Sequence, residues 1–378
     1  MSPTSFDVTF LTSGHDVADA RLHREAAALV AAGLRVEVLG LGRVEDGPPE
    51  TSVRTWSRVG GARRAALAAR MAARAGGRVL ISLDPDSALA AHAAVVASGR
   101  ELVVDVHEDF GALLSDRPWT ASFGGAAGRV AREVVRGFHR VAGRAAMTVV
   151  ADEHVPPLRA RHRLVLPNDP DLGMLPDPVD PGSSPRALYV GDVRASRGLF
   201  AMLEAVRGAP QWSLDIVGPV APADADALAE TLAADTDLAG RVTFHGRRPP
   251  RKAWRLASGA WVGMLLLADT PAFRDALPSK AGEYLACGLP IVTTDLPRQA
   301  ALVGDSLGVV VPTGTDEAVG AAVAEHLRAW AEDPHRLHAM RAEALEASVR
   351  GRRERGEPDP YALFADAVLE LLASPETP

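Results

Sequence analysis

Short apolar runs alternate along the whole chain with longer, Ala-rich stretches. The short runs predict β-strands at 6–12, 35–39, 79–82, 101–105, 147–150 and 164–166, and again at 187–190, 212–217, 241–244, 261–267, 291–294 and 308–311. The Ala-rich stretches predict helices, including those at about 18–32, 316–331, 334–350 and 360–374. Strand and helix alternating in this way is typical of βαβ units, so the pattern predicts an α/β fold with parallel sheets.

A proline-rich segment divides this pattern into two halves. Six prolines fall within the nineteen residues 167–185, and such a composition predicts a linker over about 169–186. A length of 378 residues also favours two domains. We therefore expect doubly wound domains at 1–168 and 187–357. Ligands of such sheets bind at the carboxyl ends of the strands, so the cleft between the domains is the expected site.

Composition and charge exclude several classes of protein. The sequence contains no apolar run of about 20 residues, so no spanning helix is expected. It lacks a signal-peptide pattern and has one cysteine, Cys287, which together favour a cytoplasmic protein. No Cys/His cluster has zinc spacing. Residues 1–150 carry a net charge of +2 and the remainder −9, which argues against nucleic-acid binding.

The segment 277–295 combines the features of an anion site. A helix is predicted to begin after Ser279, acting as N-cap, and to end at Gly288, just before strand 291–294. Lys280 and Glu283 are three residues apart and share a face of this helix. A cation and free N–H groups beside a carboxylate suit a phosphate joined to a sugar. Lys280 is also one of only two lysines, with Lys252, among 41 basic residues.

The same segment resembles a known family. The run Pro278-Ser-Lys-Ala-Gly-Glu-Tyr-Leu-Ala-Cys-Gly-Leu-Pro-Ile-Val is similar to the donor-binding motif of family-4 retaining glycosyltransferases, in the Pro-x-Lys-x-x-Glu-Tyr branch. The resemblance implies the GT-B fold, α/β with two doubly wound Rossmann-like domains facing a central cleft, and a C-terminal helix at about 358–375 that crosses back to the first domain. It also implies that Glu283 holds the ribose of a nucleotide-sugar, with Leu277, Pro278 and Ser279 beside it.

A second loop extends the resemblance. The stretch from Gly191 to Gly198 follows a predicted strand and precedes a helix, and it resembles the family loop in which a basic residue contacts the donor diphosphate. Arg197 has that position, although a solvated loop arginine is the alternative. Many relatives have Arg where this chain has Asp192, so Arg197 and Lys280 are expected to hold the diphosphate without a third cation.

Three further positions in the second half are expected near the donor. The turns at Gly218 and at His245-Gly246 follow strands, and in the family such turns hold the nucleotide base through backbone groups. Tight βα loops are an equally good interpretation. Asp275 lies eight residues before Glu283, where many relatives have a glutamate near the sugar. A solvated loop aspartate is the alternative.

In the first half, the loop after the first strand resembles the family loop that ends in Asp-x-Arg. Gly14 allows close approach of a ligand and is expected at the donor, while His15, Asp19 and Arg21 are expected at the acceptor. Asp19 is also a good N-cap, and Arg21 a plausible helix-face charge.

The end of strand 101–105 carries another candidate. The sequence Asp105-Val-His107-Glu108-Asp109 matches the family pattern Asp-x-His-Glu-Asp, in which the histidine points at the transferred sugar or its phosphate. A capped turn with a satisfied histidine is the alternative. Upstream, Leu83 replaces the histidine of a family His-Asp-Pro-Glu motif.

Two basic clusters complete the first half. They comprise Arg54, Arg58, Arg63, Arg64, Arg70, Arg74 and Arg78, and Arg129, Arg132, Arg136, Arg140 and Arg144. Basic helices of this kind fit peripheral contact with an anionic membrane that carries a lipid-linked acceptor. A solvated face is the alternative.

Together these features predict a retaining glycosyltransferase that moves a hexose from a UDP- or GDP-sugar to a hydroxyl of a glycan, lipid-linked or small-molecule acceptor. His107, Asp275 and Lys280 are the predicted catalytic residues. No metal and no cofactor are expected, because two cations do the work of a metal. The alternatives are a same-fold sugar epimerase or phosphorylase, and a non-catalytic nucleotide- or sugar-binding protein.

Overall fold

The structure, a computed structural model, describes residues 6–60, 62–107, 110–111 and 126–373. These residues divide into two compact units. The first unit is drawn from residues 1–168 and 358–378, and the second from residues 169–357.

The first unit is built on a seven-stranded parallel sheet. Its strands are β1 (Phe6–Asp16), β2 (Val36–Leu41), β3 (Ser52–Trp56), β4 (Gly77–Ser82), β5 (Glu101–Val106), β6 (Met147–Val150) and β7 (Arg163–Val165). Its helices are α1 (Ala20–Ala31), α2 (Ala62–Ala72), α3 (Pro85–Ser98) and α4 (Ala126–Arg144). The spatial order is β3-β2-β1-β4-β5-β6-β7. The direction of strand addition therefore reverses between β1 and β4, where the sheet has its switch point.

Alternate residues of these strands bury opposite faces of the first sheet. Phe10 and Val38 pack on α1, whereas Leu11 and Leu39 pack in the core that includes α2, α3 and α4. Both faces are covered, which is why the strands are apolar runs rather than polar and apolar alternations.

The second unit is built on a six-stranded parallel sheet. Its strands are β8 (Arg186–Val190), β9 (Ser213–Val217), β10 (Val242–Phe244), β11 (Val262–Leu265), β12 (Ile291–Thr294) and β13 (Gly308–Val311). Its helices are α5 (Leu199–Gly208), α6 (Ala225–Ala234), α7 (Thr236–Arg241), α8 (Pro250–Trp254), α9 (Lys280–Ala286), α10 (Pro297–Val303), α11 (Asp316–Glu332), α12 (His335–Ala347) and α13 (Val349–Glu354). The order β10-β9-β8-β11-β12-β13 puts its switch point between β8 and β11.

The last helix, α14 (Pro360–Ala373), belongs to the first unit. Phe364 and Val368 are fully buried in the same core as Leu22 of α1. The hydroxyl of Tyr361 donates to the carbonyl of Pro167 at 3.2 Å. The burial of this apolar face explains why the chain returns to the first sheet after residue 357.

The predicted fold class, two doubly wound parallel sheets, is confirmed, and two details differ from the sequence prediction. Strand β3 was not predicted, because its edge position leaves it largely exposed and its sequence carries a weak apolar signal. The helix predicted over 334–350 is broken at Ser348, whose backbone is extended and whose hydroxyl accepts a hydrogen bond from Arg350 N at 3.1 Å. Ser348 thus caps a new helix instead of continuing the old one. Among the described helices, none has both the length and the apolar character that a membrane span requires.

Candidate functional site

At the switch point of the second sheet, β8 and β11 pair over a short length and then diverge. The two strands pair only at Ala187 with Val262 and at Leu188 with Gly263. Beyond that point, the hydroxyl of Tyr284 fills the gap: it accepts from Val190 N at 3.1 Å and lies 3.2 Å from the carbonyl of Leu188. Strands that part at a switch point leave a crevice at their carboxyl ends, which is the usual ligand site of such a sheet.

Tyr284 also determines where α9 lies. Its ring covers Gly263, where an added Cβ would come within 2.4 Å of the ring. Glycine is therefore required on β11 for the helix to pack so closely. Lys280 lies one turn earlier on the same face of α9, and the packing of Tyr284 directs it into the crevice.

Lys280 is buried at this crevice. Its side chain is 7% exposed, and its Nζ lies 3.9 Å from the centroid of the Tyr189 ring. Within the described residues, Nζ makes no hydrogen bond. An added Cβ at Gly191, whose φ is +141°, would lie 2.7 Å from Nζ. The glycine thus keeps the space in front of the ammonium group open.

Burial changes the acidity of this lysine. The pKa of Lys280 falls from 10.5 to about 7, first because burial disfavours its charge and then because Arg197 repels it, while Glu283 and Asp192 oppose the shift. A buried lysine with a lowered pKa is partly deprotonated near neutral pH. A nearby anion favours the charged form, so the lysine takes up a proton when an anion binds. The arrangement favours an anionic ligand.

Arg197 supplies the second cation. It ends a short 3-10 turn (Ala195–Arg197) just before α5, and its guanidinium lies 5.8 Å from the centroid of the Phe273 ring. Its buried Nε makes no hydrogen bond to any residue that the structure describes. Two basic side chains, 83 residues apart in sequence, therefore bring unsatisfied nitrogen atoms to one end of the sheet.

The turns after β9 and β10 border the same edge. Gly218 N donates to Gly246 O at 3.0 Å, and an added Cβ at Gly218 would lie 1.8 Å from Gly191 O. His245 is held against the sheet, with its Nε2 2.7 Å from Asp215 Oδ1 and its backbone N–H bonded to Ile216 O. Its imidazole therefore braces the turn.

The loop 266–279 connects β11 to α9 and carries several predicted site residues. Asp275 is exposed, Leu277 is 38% exposed, and Glu283 is half-buried one turn after the loop ends. Ser279 was predicted as the N-cap, but it has helical backbone angles and its side chain makes no capping hydrogen bond. The Pro278 carbonyl instead accepts from Ala281 N at 3.0 Å and begins the helix.

In the first unit, Asp84 organises the loop that contains Gly14. Its buried carboxylate accepts hydrogen bonds from the backbone of Ser13 (2.8 Å) and Gly14 (3.1 Å) and pairs with Arg64. The carboxylate also caps α3 through Ser87 N. Burial opposes the ionisation of Asp84, but Arg64 and the hydrogen bonds with Ser87 outweigh it and lower the pKa of Asp84. Sequence reasoning did not select Asp84, although its position between a strand and Pro85 is the typical signal of a cap.

The predicted acceptor residues Asp19 and Arg21 have structural partners. Asp19 caps α1 by accepting from Arg21 N and Leu22 N. Arg21 is 5% exposed, and its guanidinium forms two hydrogen bonds to Asp105, at 2.7 and 2.8 Å. Burial opposes the ionisation of Asp105, but Arg21 outweighs it and holds the pKa of Asp105 well below its usual range. Arg21 is thus placed to orient Asp105 rather than to bind an acceptor directly.

His15 and His107 lie together in the first unit. Their ring centroids are 4.8 Å apart in an edge-to-face arrangement, and His107 Nδ1 lies 3.6 Å from Asp105 Oδ2. The structure therefore unites the two predicted histidines, each from the carboxyl end of a different strand. Glu108 and Asp109 lie outside the described residues. In the described part of the chain, no three His, Cys, Asp or Glu side chains are grouped as a metal site.

Comparison with known proteins gives a family match for the second unit. Residues 177–346 match the family model of glycosyl transferases group 1. This match makes the protein a glycosyltransferase by enzyme class. No curated protein matches the chain in sequence.

Solved structures match nearly the whole chain at low identity. Sucrose-phosphate synthase from Thermosynechococcus elongatus is 16% identical, with a TM-score of 0.72 over 97% of this chain and 99% of that one. HepE of Anabaena, in complex with UDP and glucose, is 15% identical with a TM-score of 0.70 over 97% and 99%. WaaG, a glycosyltransferase involved in lipopolysaccharide biosynthesis, is 17% identical with a TM-score of 0.65 over 97% and 100%. The fold is GT-B, as the sequence predicted.

Proposed function

We propose that the protein is a family-4 retaining glycosyltransferase, which moves a hexose from a UDP- or GDP-sugar to an acceptor hydroxyl without a metal. One observation carries the proposal: Lys280 Nζ and Arg197 Nε are buried, converge at the switch point of the second sheet, and make no hydrogen bond within the described residues. Two neighbouring cations, each with a buried nitrogen atom that is not bonded in this way, fit a diphosphate.

The two cations supply the electrostatic part of the reaction. As the bond between the anomeric carbon and the β-phosphate oxygen breaks, negative charge develops on the departing nucleoside diphosphate. Lys280 and Arg197 stabilise this charge in a site of low dielectric, where preorganised cations act most strongly. The acceptor oxygen then bonds to the anomeric carbon on the face that the diphosphate leaves, and the hydroxyl proton goes to a departing phosphate oxygen.

The remaining donor contacts follow from the same edge of the second sheet. Glu283 lies one turn beyond Lys280 on α9 and binds the ribose hydroxyls. The turns at Gly218 and Gly246, already joined by a backbone hydrogen bond, hold the base through their backbone groups. Asp275 lies near the sugar. The similarity to HepE, which was solved with UDP and glucose, supports a nucleotide-sugar donor.

The first unit binds the acceptor. His15 and His107, whose rings are in contact, are proposed to face the acceptor, while Gly14, in the loop that Asp84 organises, is proposed to approach the donor. Histidine suits this position because it can donate to or accept from a hydroxyl near neutral pH. Arg21 pairs with Asp105, and Asp105 in turn lies against His107 and orients its ring.

Titration of the metal-free protein with UDP, GDP and ADP tests the donor site. We expect micromolar binding of UDP or GDP, and a loss of at least tenfold in affinity in Arg197→Ala, because hydrogen bonds to a charged group contribute about 1.5–3 kcal/mol each. Arg336→Ala, on an exposed face of α12, is the matched control. Isothermal calorimetry measures both. No binding of any of the three nucleotides would refute the proposal.

A basic face of the first unit is proposed to contact an anionic membrane. Five exposed arginines line α4, and α2 with the turn that follows it presents three more, with α3 packed beside both helices. They are Arg129, Arg132, Arg136, Arg140 and Arg144, and Arg63, Arg70 and Arg74. The other members of the first predicted cluster have internal partners: Arg54 pairs with Glu37, Arg58 donates to Gly14 O, Arg64 pairs with Asp84 and Arg78 donates to Leu372 O. The lipid-facing set is therefore smaller than the sequence predicted.

Vesicle co-sedimentation tests this face. The charge reversal of Arg132 and Arg140 to Glu is expected to weaken binding to phosphatidylglycerol vesicles by about tenfold or more, since each basic residue near an anionic surface contributes about 1 kcal/mol. The same reversal at Arg328 and Arg336, on helices of the second unit, is the control. Equal binding of all three proteins, or equal binding to phosphatidylcholine, would contradict the proposal.

A further inference from the structure

The loop 266–279 is fastened from two sides. On one side, Ala268 N donates to Ser196 O at 3.0 Å, and Phe273 lies under the guanidinium of Arg197. On the other side, two consecutive residues of α10 hold two consecutive carbonyls of the loop: Arg298 Nη1 donates to Asp275 O at 2.9 Å and Gln299 Nε2 donates to Ala276 O at 3.3 Å. The segment just before Lys280 thus depends on the start of α10.

Gln299 is the buried part of this attachment. Its side chain is 0% exposed, and its Oε1 accepts from Thr293 Oγ1 at 2.9 Å. Thr293 lies on β12, and its hydroxyl is also 3.0 Å from Leu265 O, the last residue of β11. The amide therefore links β12, a central strand of the sheet, to the loop that follows β11.

An interior glutamine is costly to bury unless both ends of its amide are bonded. An apolar side chain of similar volume would fill the same space against β12 without that cost. The amide adds two things that an apolar group lacks, an acceptor for Thr293 and a donor aimed at Ala276 O, and only the donor reaches outside the sheet. Its position therefore points to the loop rather than to the core.

We propose that Gln299 is a positioning residue for glycosyl transfer, which fixes the loop carrying Asp275 and the approach to Lys280 through its hydrogen bonds to Thr293 and Ala276. The inference rests on the proposed function, because only there does the loop face a sugar. The carbonyl that Gln299 holds belongs to Ala276, which adjoins Asp275, the residue proposed to lie near the sugar, and not to the turns at Gly218 and Gly246 that are proposed to hold the base. Gln299 should therefore affect transfer far more than nucleotide binding.

The test compares Gln299→Leu with Gln299→Glu. Leucine fills the space but removes both hydrogen bonds, and kcat should fall about tenfold to a hundredfold, since misplacement by about 1 Å can cost that much. The dissociation constant for UDP should stay within about threefold. Glutamate, protonated when so deeply buried, can still donate to Ala276 O and should restore most of the rate. Gln211→Leu, at the only other glutamine and on the surface, is the control.

Hydrogen exchange of the loop gives a readout that needs no activity. Peptides within 266–279 should exchange faster in Gln299→Leu than in the unsubstituted protein, while those of β12 stay protected. Wild-type kcat in Gln299→Leu would overturn the inference, and so would a parallel loss of UDP affinity and turnover, which indicates a general structural role. If the unsubstituted protein turns over no donor, the proposed function fails. If the loop exchanges at the same rate in Gln299→Leu, the attachment of the loop by Gln299 is refuted.

Discussion

Replacing Lys280 with alanine is expected to lower kcat/KM for the nucleotide-sugar by about a hundredfold to a thousandfold, the usual cost of removing one preorganised group that stabilises transition-state charge. Lys280 Nζ is buried beside Tyr189 and makes no hydrogen bond within the described residues. In the proposed function, the diphosphate of the donor is the partner of this ammonium group. Steady-state kinetics with UDP- and GDP-sugars measure the loss.

The chain offers a matched control for this substitution. Lys252, the only other lysine, is exposed on α8, and Lys252→Ala should leave the kinetics unchanged. Lys280→Met keeps the volume and should be as inactive as alanine while remaining folded, because it removes a buried charge rather than a packing contact. Unchanged turnover in Lys280→Ala would contradict the site. Nucleotide binding with no turnover in the unsubstituted protein would instead indicate a binding protein.

Donor binding is expected to weaken by about tenfold per pH unit above roughly pH 7. The pKa of Lys280 is about 7 without ligand, first because of burial and then because of Arg197. A bound diphosphate favours the charged lysine and raises this pKa. The bound state therefore holds more protons than the free state above pH 7, so binding takes up a proton and is opposed by rising pH.

Calorimetric titration with UDP at about pH 8, in two buffers of different ionisation enthalpy, measures the proton uptake. We expect close to one proton per nucleotide for the unsubstituted protein, because the free lysine is then mostly neutral. Lys280→Arg provides the control: arginine stays charged, so binding should persist without uptake. Uptake that is equal in Lys280→Arg, or absent from the unsubstituted protein, would show that Lys280 does not titrate with binding.

The same lowered pKa has a consequence for stability. The unfolded chain has an ordinary lysine with a pKa near 10.5, whereas the folded protein has about 7. Between these values the unfolded state binds more protons, so the free energy of unfolding rises with pH across that window. The cost of burying the charge is fully present below about pH 7, where a bound diphosphate would offset it.

Much of the fold was predictable because its signals are local. Strands such as β6, β12 and β13 are short apolar runs bounded by residues that end regular structure, and their predicted and observed bounds coincide. Gly288, in the left-handed region at φ +69°, follows α9 closely, as a helix-ending glycine should. The edge strand β3 escaped prediction because it buries little apolar surface.

The candidate site was only partly predictable, since the role of a charge depends on its neighbours. Arg21 and Lys280 both matched family motifs, and the sequence favoured Lys280, a rare lysine, over Arg21, which could equally be a helix-face charge. In the structure, Arg21 is paired with Asp105, whereas the Nζ of Lys280 makes no hydrogen bond within the described residues. Gln299 carried no motif at all, and its importance rests on contacts with Thr293 and Ala276.

Apart from strand β3 and the break at Ser348, the sequence by itself determined the order of the elements, the doubly wound class of both sheets and the identity of the two candidate cations, because each depends on residues that are close along the chain. The tertiary structure alone decided which charges are satisfied. Tyr189, Gly191 and Lys280 meet only because β8 and β11 are neighbours at a switch point, although about 90 residues separate them. Burial and the nearest charge set the acidity of Lys280, and both are properties of that meeting.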